Sequence, residues 1–302
     1  MRLQSSRRLS TVAVVILNWN LADETAACVE SFLAGDRLPD QIIVVDNGSE
    51  DDSVATLRTR FGDRITLVES ERNLGFAGGN NLGIQCGLSD GSDWVFLANN
   101  DTVVAPDCLS RLLEVGAAVP ALRLLGPLIL YHAEPTRIWS LGDRSVGNTL
   151  LTRSVLRDAP APPDLPALLP VDYLTACGLF VHRSVFAEIG LLDEAFFMYA
   201  EDADFCRRAH DAGFRLACVT RARMWHKVSR STGIHHPQAR SWRTANQIRF
   251  YRRHSHGGER MLLWLFTAVR LTLMSLRDLV HGRIGLLGPT WRAWAEGWFD
   301  GD

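Results

Sequence analysis

The segment Trp94-Val95-Phe96-Leu97-Ala98-Asn99-Asn100-Asp101 decides the fold: five apolar residues run straight into three short polar ones. A continuous apolar run of this length, ended by turn-forming residues, is the pattern of a strand buried on both faces of a parallel sheet. Upstream, Val12–Leu17, Gln41–Val45 and Ile65–Val68 repeat the pattern. Between them, Asp23 to Leu33 places Ala26, Ala27, Val29, Phe32 and Leu33 largely on one side, and Ser53 to Phe61 does the same with Val54, Leu57 and Phe61, the spacing of amphipathic helices. Strand alternating with helix predicts an α/β fold with a doubly wound, mostly parallel sheet flanked by helices.

Such sheets bind ligands beyond the carboxyl ends of their strands. Asn18-Trp19-Asn20, Asp46-Asn47-Gly48-Ser49 and Asn99-Asn100-Asp101 all fall at that edge. Each alone reads as turn chemistry, but three in succession predict a polar crevice. Asp101 is a candidate ligand for Mg²⁺ or Mn²⁺, which need one or two protein carboxylates when a diphosphate and water fill the other positions. Asp46 is placed to accept from a ribose hydroxyl or a base N–H, or else to form an Asx turn. The run Glu71 to Asn81, containing Asn73, Gly78 and Asn81, offers close backbone approach through its glycines, but no Gly-Lys-Ser/Thr follows to make a phosphate-binding P-loop.

Further along, APAPPDLPALLP (Ala159 to Pro170) holds five prolines and reads as a surface connection, neither helix nor inner strand. Asp172 to Arg183 reads as a strand region, and Ala203–Ala212 as a short helix stopped by Gly213. At 100° per residue Asp202 shares a face with Phe205, Cys206, Ala209 and Gly213, while Glu201, Asp204, Arg207, Arg208 and Asp211 lie opposite. An inward carboxylate at a helix mouth suits a general base, though it also suits a helix dipole. Asp204 and Arg208 have the spacing of a surface pair. His226, after Trp225, stands beside Lys227, Ser229, Arg230, Ser231 and Thr232, which offer donors for phosphate oxygens; His235-His236 reads as loop.

Composition bounds the rest. In 302 residues, 32 Lys+Arg against 34 Asp+Glu give −2, so no overall basic footprint for nucleic acid exists. Hydrophobic and charged fractions of 47% and 22% are those of a globular chain, which sets aside disorder and multiple membrane spans. Six scattered cysteines without a C-x-x-C pair suggest neither a zinc site nor a disulfide framework, and favour a reducing compartment. Arg2, Arg7 and Arg8 precede an apolar run too short for an export signal, so the expected location is the cytoplasm. In Glu259 to Arg283, Arg270 and Arg277 interrupt the apolar residues and disfavour a spanning helix. On a helical wheel Glu259, Arg270, Arg277 and His281 share one narrow sector opposite a wide apolar face. That pattern fits a helix packed on the preceding domain and equally one lying on a membrane surface.

Taken in order, VVILNWN, IIVVDNGSEDDS, ERNLGFAGGNNLGI, WVFLANNDTVV, ACGLFVHRSVFAEIGLLDEAFFMYAEDADFCRRAHDAGF and ARMWHKVSRSTG resemble the family 2 glycosyltransferases, in particular their rhamnosyltransferase-like and galactofuranosyltransferase-like branch. The resemblance spans roughly Thr11 to Gly233. It implies a GT-A fold over residues 1–235, with a donor half at about 11–105, an acceptor and catalytic half at about 106–235, and a C-terminal helical extension, 236–302. It implies an inverting transfer from a nucleotide-diphosphate sugar, dTDP-rhamnose in the favoured case and a UDP-sugar otherwise, aided by Mg²⁺ or Mn²⁺, to a glycan or lipid-linked acceptor of cell-surface polysaccharide synthesis. Asp46 matches the nucleoside-binding aspartate and Asp101 the last acid of the metal-binding D-x-D, with Asn99 standing where the first acid belongs. Asp202, preceded by Glu201, matches the catalytic base of the glutamate-aspartate motif, and His226 the histidine that completes the metal site in some members. Asn18, Asn73, Gly78, Asn81, Asn99, Asn100 and Lys227 are then expected at the donor. A sugar-phosphate nucleotidyltransferase would need a Gly-rich basic N-terminal loop, which ILNWNLADE lacks; an inactive scaffold of polysaccharide assembly would keep the fold without the chemistry. The extension would place the chain on the inner face of the cytoplasmic membrane through about 259–283.

Overall fold

The computed structural model describes residues 10–228 and 237–299. In chain order the elements are β1 (Val12–Asn18), α1 (Ala22–Leu33), β2 (Gln41–Asp46), α2 (Ser53–Phe61), β3 (Thr66–Glu69), α3 (Gly75–Ser89) and β4 (Trp94–Asn99). There follow β5 (Thr102–Val104), α4 (Cys108–Ala118), β6 (Leu122–Tyr131), β7 (Ile138–Ser140), β8 (Asp143–Ser145), β9 (Thr152–Ser154), β10 (Leu168–Val171) and β11 (Gly178–His182). Then come α5 (Arg183–Ile189), α6 (Glu201–Asp211), β12 (Arg215–His226), α7 (Pro237–His254), α8 (Gly257–Val280) and α9 (Leu287–Phe299).

The main sheet runs β10-β12-β6-β11-β4-β1-β2-β3. Its N-terminal half is parallel, β4 pairing β1, β1 pairing β2 and β2 pairing β3, whereas β11 inserts antiparallel between β4 and β6. β1 shows why these strands carry no polar alternation. Val12, Val14 and Ile16 enter one core with Phe32 of α1, Leu57 of α2 and Leu112 of α4, while Ala13 and Val15 enter the other with Ile84 of α3, Phe186 of α5 and Phe205 of α6. With helices on both faces, every residue of the strand must be apolar.

Two expectations change here. The proline-rich segment ends in a strand: Leu168–Val171 pairs antiparallel with β12 at the sheet edge, where Pro170 is tolerated. The glycines after Glu71 lie in α3. A Cβ on Gly79, Gly83 or Gly87 would stand 2.4 Å from Leu17, 2.3 Å from Val15 or 2.7 Å from Ala13. Their role is close helix–sheet packing, for which the helix gives up about 1 kcal/mol of propensity per glycine.

A third apolar cluster joins Leu150 and Phe196 to Ile248 and Tyr251 of α7, Leu263 and Leu271 of α8, and Trp294 and Trp298 of α9. α8 turns Leu263, Thr267, Leu271 and Asp278 inward, and its polar sector borders that buried face. Glu259 accepts from the Leu150 backbone N–H at 2.9 Å, Arg270 donates to Gln247 at 3.0 Å, and Asp278 pairs with Arg240 at 2.6 Å. Its outward face presents Met261, Leu262, Leu265, Val269, Leu273 and Leu276, each more than half exposed. No described helix is long and apolar enough to cross a membrane.

Candidate functional site

Parallel register aligns the polar strand ends, Asn18 opposite Asp46 and Leu17 opposite Asn99. Asp46 is nearly inaccessible and is consumed locally: Asn18 Nδ2 donates to it at 2.8 Å and Ser49 donates from its hydroxyl at 2.6 Å and its N–H at 3.0 Å. The Thr25 hydroxyl donates to Asn18 Oδ1 at 2.7 Å and accepts from Asn100 Nδ2 at 3.1 Å. These bonds bind the three strand ends into one floor. Above it opens a cleft of about 940 Å³, with Trp19, Asn47, Asn73, Asn99, Asn100 and Asp101 on the strand side and Tyr173, Glu201 and Asp202 across from them. Asn47, named in the sequence only as part of the strand-end cluster Asp46-Asn47-Gly48-Ser49, lines the cleft itself. It donates to Asn73 at 3.0 Å and accepts the Leu74 N–H at 2.9 Å, shaping the loop that enters α3.

Pairing of β5 with β12 sets Thr102 against His226 and so brings the histidine to Asp101, with Nε2 to Oδ1 at 3.0 Å. The His226 ring stands edge-on to Trp139. Its Nδ1 and the Asn99 Oδ1 are buried without a hydrogen-bond partner among the described residues. No group of three or more His, Cys, Asp and Glu gathers among those residues, but one carboxylate, one imidazole and an orphaned amide oxygen are donors that fit a hard divalent ion whose other ligands are phosphate oxygens. Lys227 borders an adjoining recess with Asp101 and His132, and its ammonium pairs with Glu24.

Across the cleft, Tyr199 and Ala200 both adopt φ of 71°, a conformation that costs non-glycine residues about 1–3 kcal/mol and recurs where function demands it. They turn the chain so that α6 opens directly on Glu201 and Asp202. Asp202 Oδ2 accepts the Tyr173 hydroxyl at 2.7 Å and the Ala176 N–H at 3.2 Å, and Oδ1 accepts the Ala203 N–H at 2.9 Å. Burial pushes the Asp202 carboxyl above its ordinary range, against those hydrogen bonds, which favour the ionised form. Glu201 is pushed much further up, by burial and then by the charge of Asp202, and its Oε2 has no partner among the described residues. Burial thus opposes charge on both carboxyls, more strongly on Glu201, whereas Asp202 has hydrogen-bond donors that favour its ionised form.

The structure revises the face assignment of α6. Glu201 and Asp204 do not point to solvent with Arg207: both are buried, because α6 is covered by the sheet on one side and by α7 on another. Asp204 is no surface partner of Arg208. It binds Arg208 at 2.7 Å and also His254 at 2.8 Å and Arg253 at 3.3 Å from α7. Gly78 and Asn81 stand inside α3, apart from the cleft lining; Asn81 exchanges hydrogen bonds with the Leu192 backbone and donates to Glu194. Ser229, Arg230, Ser231, Thr232, His235 and His236 lie outside the described residues. The six cysteines are free thiols, and burial pushes Cys28 up to about 12, which keeps it protonated and unreactive.

The family model described as glycosyl transferase family 2 matches residues 13–157, and that described as glycosyl transferase family group 2 matches residues 94–295. An N-acetylglucosaminyl-diphospho-decaprenol L-rhamnosyltransferase of Mycobacterium tuberculosis is 31% identical over 226 residues, 68% of this chain and 73% of that one. A galactofuranosyltransferase of the same organism is 35% identical over 129 residues, 42% of each chain. Among solved structures, a mannosyltransferase from Pyrobaculum calidifontis in complex with GDP-Man and Mn²⁺ superposes with a TM-score of 0.59 at 13% identity, over 98% of this chain and 89% of that one. GalNAc-T7 with UDP, GalNAc and Mn²⁺ also gives 0.59, at 15% identity over 82% and 48%. At these identities the likeness speaks for the fold alone, which is GT-A.

Proposed function

This chain belongs to glycosyl transferase family 2, and on that premise we propose that it is an inverting transferase moving a sugar from a nucleotide-diphosphate donor to a hydroxyl of a lipid-linked glycan. The observation that carries the reading is Asp202, a partly desolvated carboxylate facing the Asp101–His226 pair across one cleft. In one displacement, the acceptor oxygen forms its bond to the anomeric carbon as the bond to the donor's diphosphate oxygen breaks. The acceptor proton passes to Asp202, and attack opposite the leaving group inverts the centre. Asp101 and His226, with Asn99 beside them, would hold Mg²⁺ or Mn²⁺, whose chemistry is to neutralise charge on the leaving diphosphate. Asn73, Asn99 and Asn100 offer the donor amide contacts, and Asp46 with Asn18 supports the floor beneath its nucleoside. dTDP-rhamnose is the favoured donor, supported by the rhamnosyltransferase among the relatives, and a UDP-sugar is the alternative. The acceptor would be met at the inner face of the cytoplasmic membrane.

Calorimetric titration with dTDP, UDP and GDP, each with and without Mn²⁺ or Mg²⁺, tests the donor half. Metal-dependent binding of one nucleotide is expected, weakened about tenfold or more in Asp101→Ala; equal affinity in that variant removes Asp101 from the ion site. Asp202→Asn should bind the same nucleotide and lose transfer by at least about a thousandfold, the general-base contribution together with misplacement of the acceptor. Retained turnover would sink the assignment.

A further inference from the structure

The cleft wall built by the C-terminal helices carries charge that donor binding leaves unused. Arg243 of α7 and Arg270 of α8 both line the cleft, together with Gln247 and Tyr251 of α7. The Arg243 guanidinium lies 4.7 Å over the Tyr199 ring, and Arg270 is steadied by its hydrogen bond to Gln247. Among the described residues each thus faces a ring or an amide rather than a carboxylate, and a stacked or singly bonded guanidinium keeps most of its five N–H donors for a ligand. The metal pair Asp101–His226 serves the leaving diphosphate of the donor from the strand side, so a second anion is what these arginines fit.

The surroundings of Arg270 narrow the class of that anion. On α8, Phe266 stands four residues before it and Leu273 three after, 39% and 62% exposed, and with Leu262 and Val269 they begin the outward apolar face. Cationic cleft rim and uncovered hydrocarbon surface therefore meet along one helix. A ligand complementary to both has a diphosphate joined directly to a long apolar chain. Arg277, exposed four residues after Leu273, adds positive charge at the edge of that face, while two of the three acids in 257–299, Glu259 and Asp278, are turned onto Leu150 and Arg240. That sign suits the anionic leaflet of a bilayer.

We propose that Arg243 and Arg270 seat the diphosphate of a prenyl-diphosphate-linked acceptor, whose chain leaves the cleft over Phe266 and Leu273 into the bilayer on which the outward face of α8 lies. The glycan end of that acceptor rests on the glycosyltransferase reading; the diphosphate seat and the bilayer contact are testable without any donor.

The full chain is floated with phosphatidylcholine vesicles that are plain, doped with phosphatidylglycerol, or doped at matched charge with a long-chain prenyl diphosphate. Binding to the diphosphate vesicles is expected to be about tenfold tighter than to the phosphatidylglycerol vesicles, as charge-assisted bidentate contacts exceed diffuse attraction. R243Q/R270Q should lose that preference and still float with plain vesicles and bind nucleotide as before. F266S/L273S, at exposed positions, should weaken flotation on all three. Equal binding to the two anionic vesicles, or a preference that survives R243Q/R270Q, overturns the seat. A chain that does not float and sediments as a dimer overturns the bilayer contact, giving the face to a second copy. A wild-type chain that floats with the expected preference but binds no nucleotide defeats the transferase reading alone.

Discussion

In the proposed mechanism Tyr173 acts through Asp202, by donating one hydrogen bond to the oxygen that also receives the Ala176 N–H. Removing that donor in Tyr173→Phe leaves burial less opposed, so the Asp202 carboxyl should rise further. A base works deprotonated, and the acid limb of kcat/KM should therefore move to higher pH by about one unit. The rate should fall about tenfold below that limb and recover above it. An unmoved limb with a uniform loss would mean that Tyr173 merely fills space. Asp101 and His226 were legible as polar residues closing apolar runs and Asp202 as a carboxylate on an apolar helix face, and all three line one cleft. Tyr173 was missed and Asn47 was given no role of its own, since their partners lie 29 and 26 residues away, where no local pattern encodes them.

Asp204 ties α6 to α7 through Arg253 and His254. Burial alone would raise its carboxyl, but hydrogen bonds from His254 and Arg208 and their charges outweigh it and hold it below the usual value. A depressed carboxyl contributes stability that is present above its unfolded pKa and fades as pH falls through the folded one. Asp204→Ala, which strands buried cations, should cost about 3–5 kcal/mol at neutral pH, and thermal melts should show the gap to wild type closing in acid. A gap that is constant with pH would mean packing loss rather than charge. On α3, Gly83→Ala should cost about 1–3 kcal/mol by forcing α3 off β1 near Val15, and urea melts would show it as a lowered midpoint. Helical periodicity located α6 and α8 well, yet a wheel shows which residues share a face and not what covers it. Hence Glu201 and Asp204 were placed outward, and which face of α8 packs on the rest of the chain needed the structure.

At the scale of the whole molecule, the parallel half was legible because burial on both faces leaves unbroken apolar strands. In the other half β11 fell inside the expected strand region Asp172 to Arg183, but the pairing was not legible, since β10, β11 and β12 pair across long sequence separations and β10 hides in a proline-rich segment. Leu150 and Phe196 belong to the preceding domain yet complete the cluster formed by α7, α8 and α9. Removing residues 237–302 should therefore uncover them, lower the melting temperature and raise binding of a hydrophobic dye; an unchanged melt would show that the first 236 residues form a self-sufficient core. The adjacency of the Arg270 rim to the outward face of α8 also bears on kinetics. A catalyst resting on the surface that holds its acceptor searches an area instead of a volume. Its velocity then follows the mole fraction of acceptor in that surface, and falls when inert lipid is added at constant total acceptor.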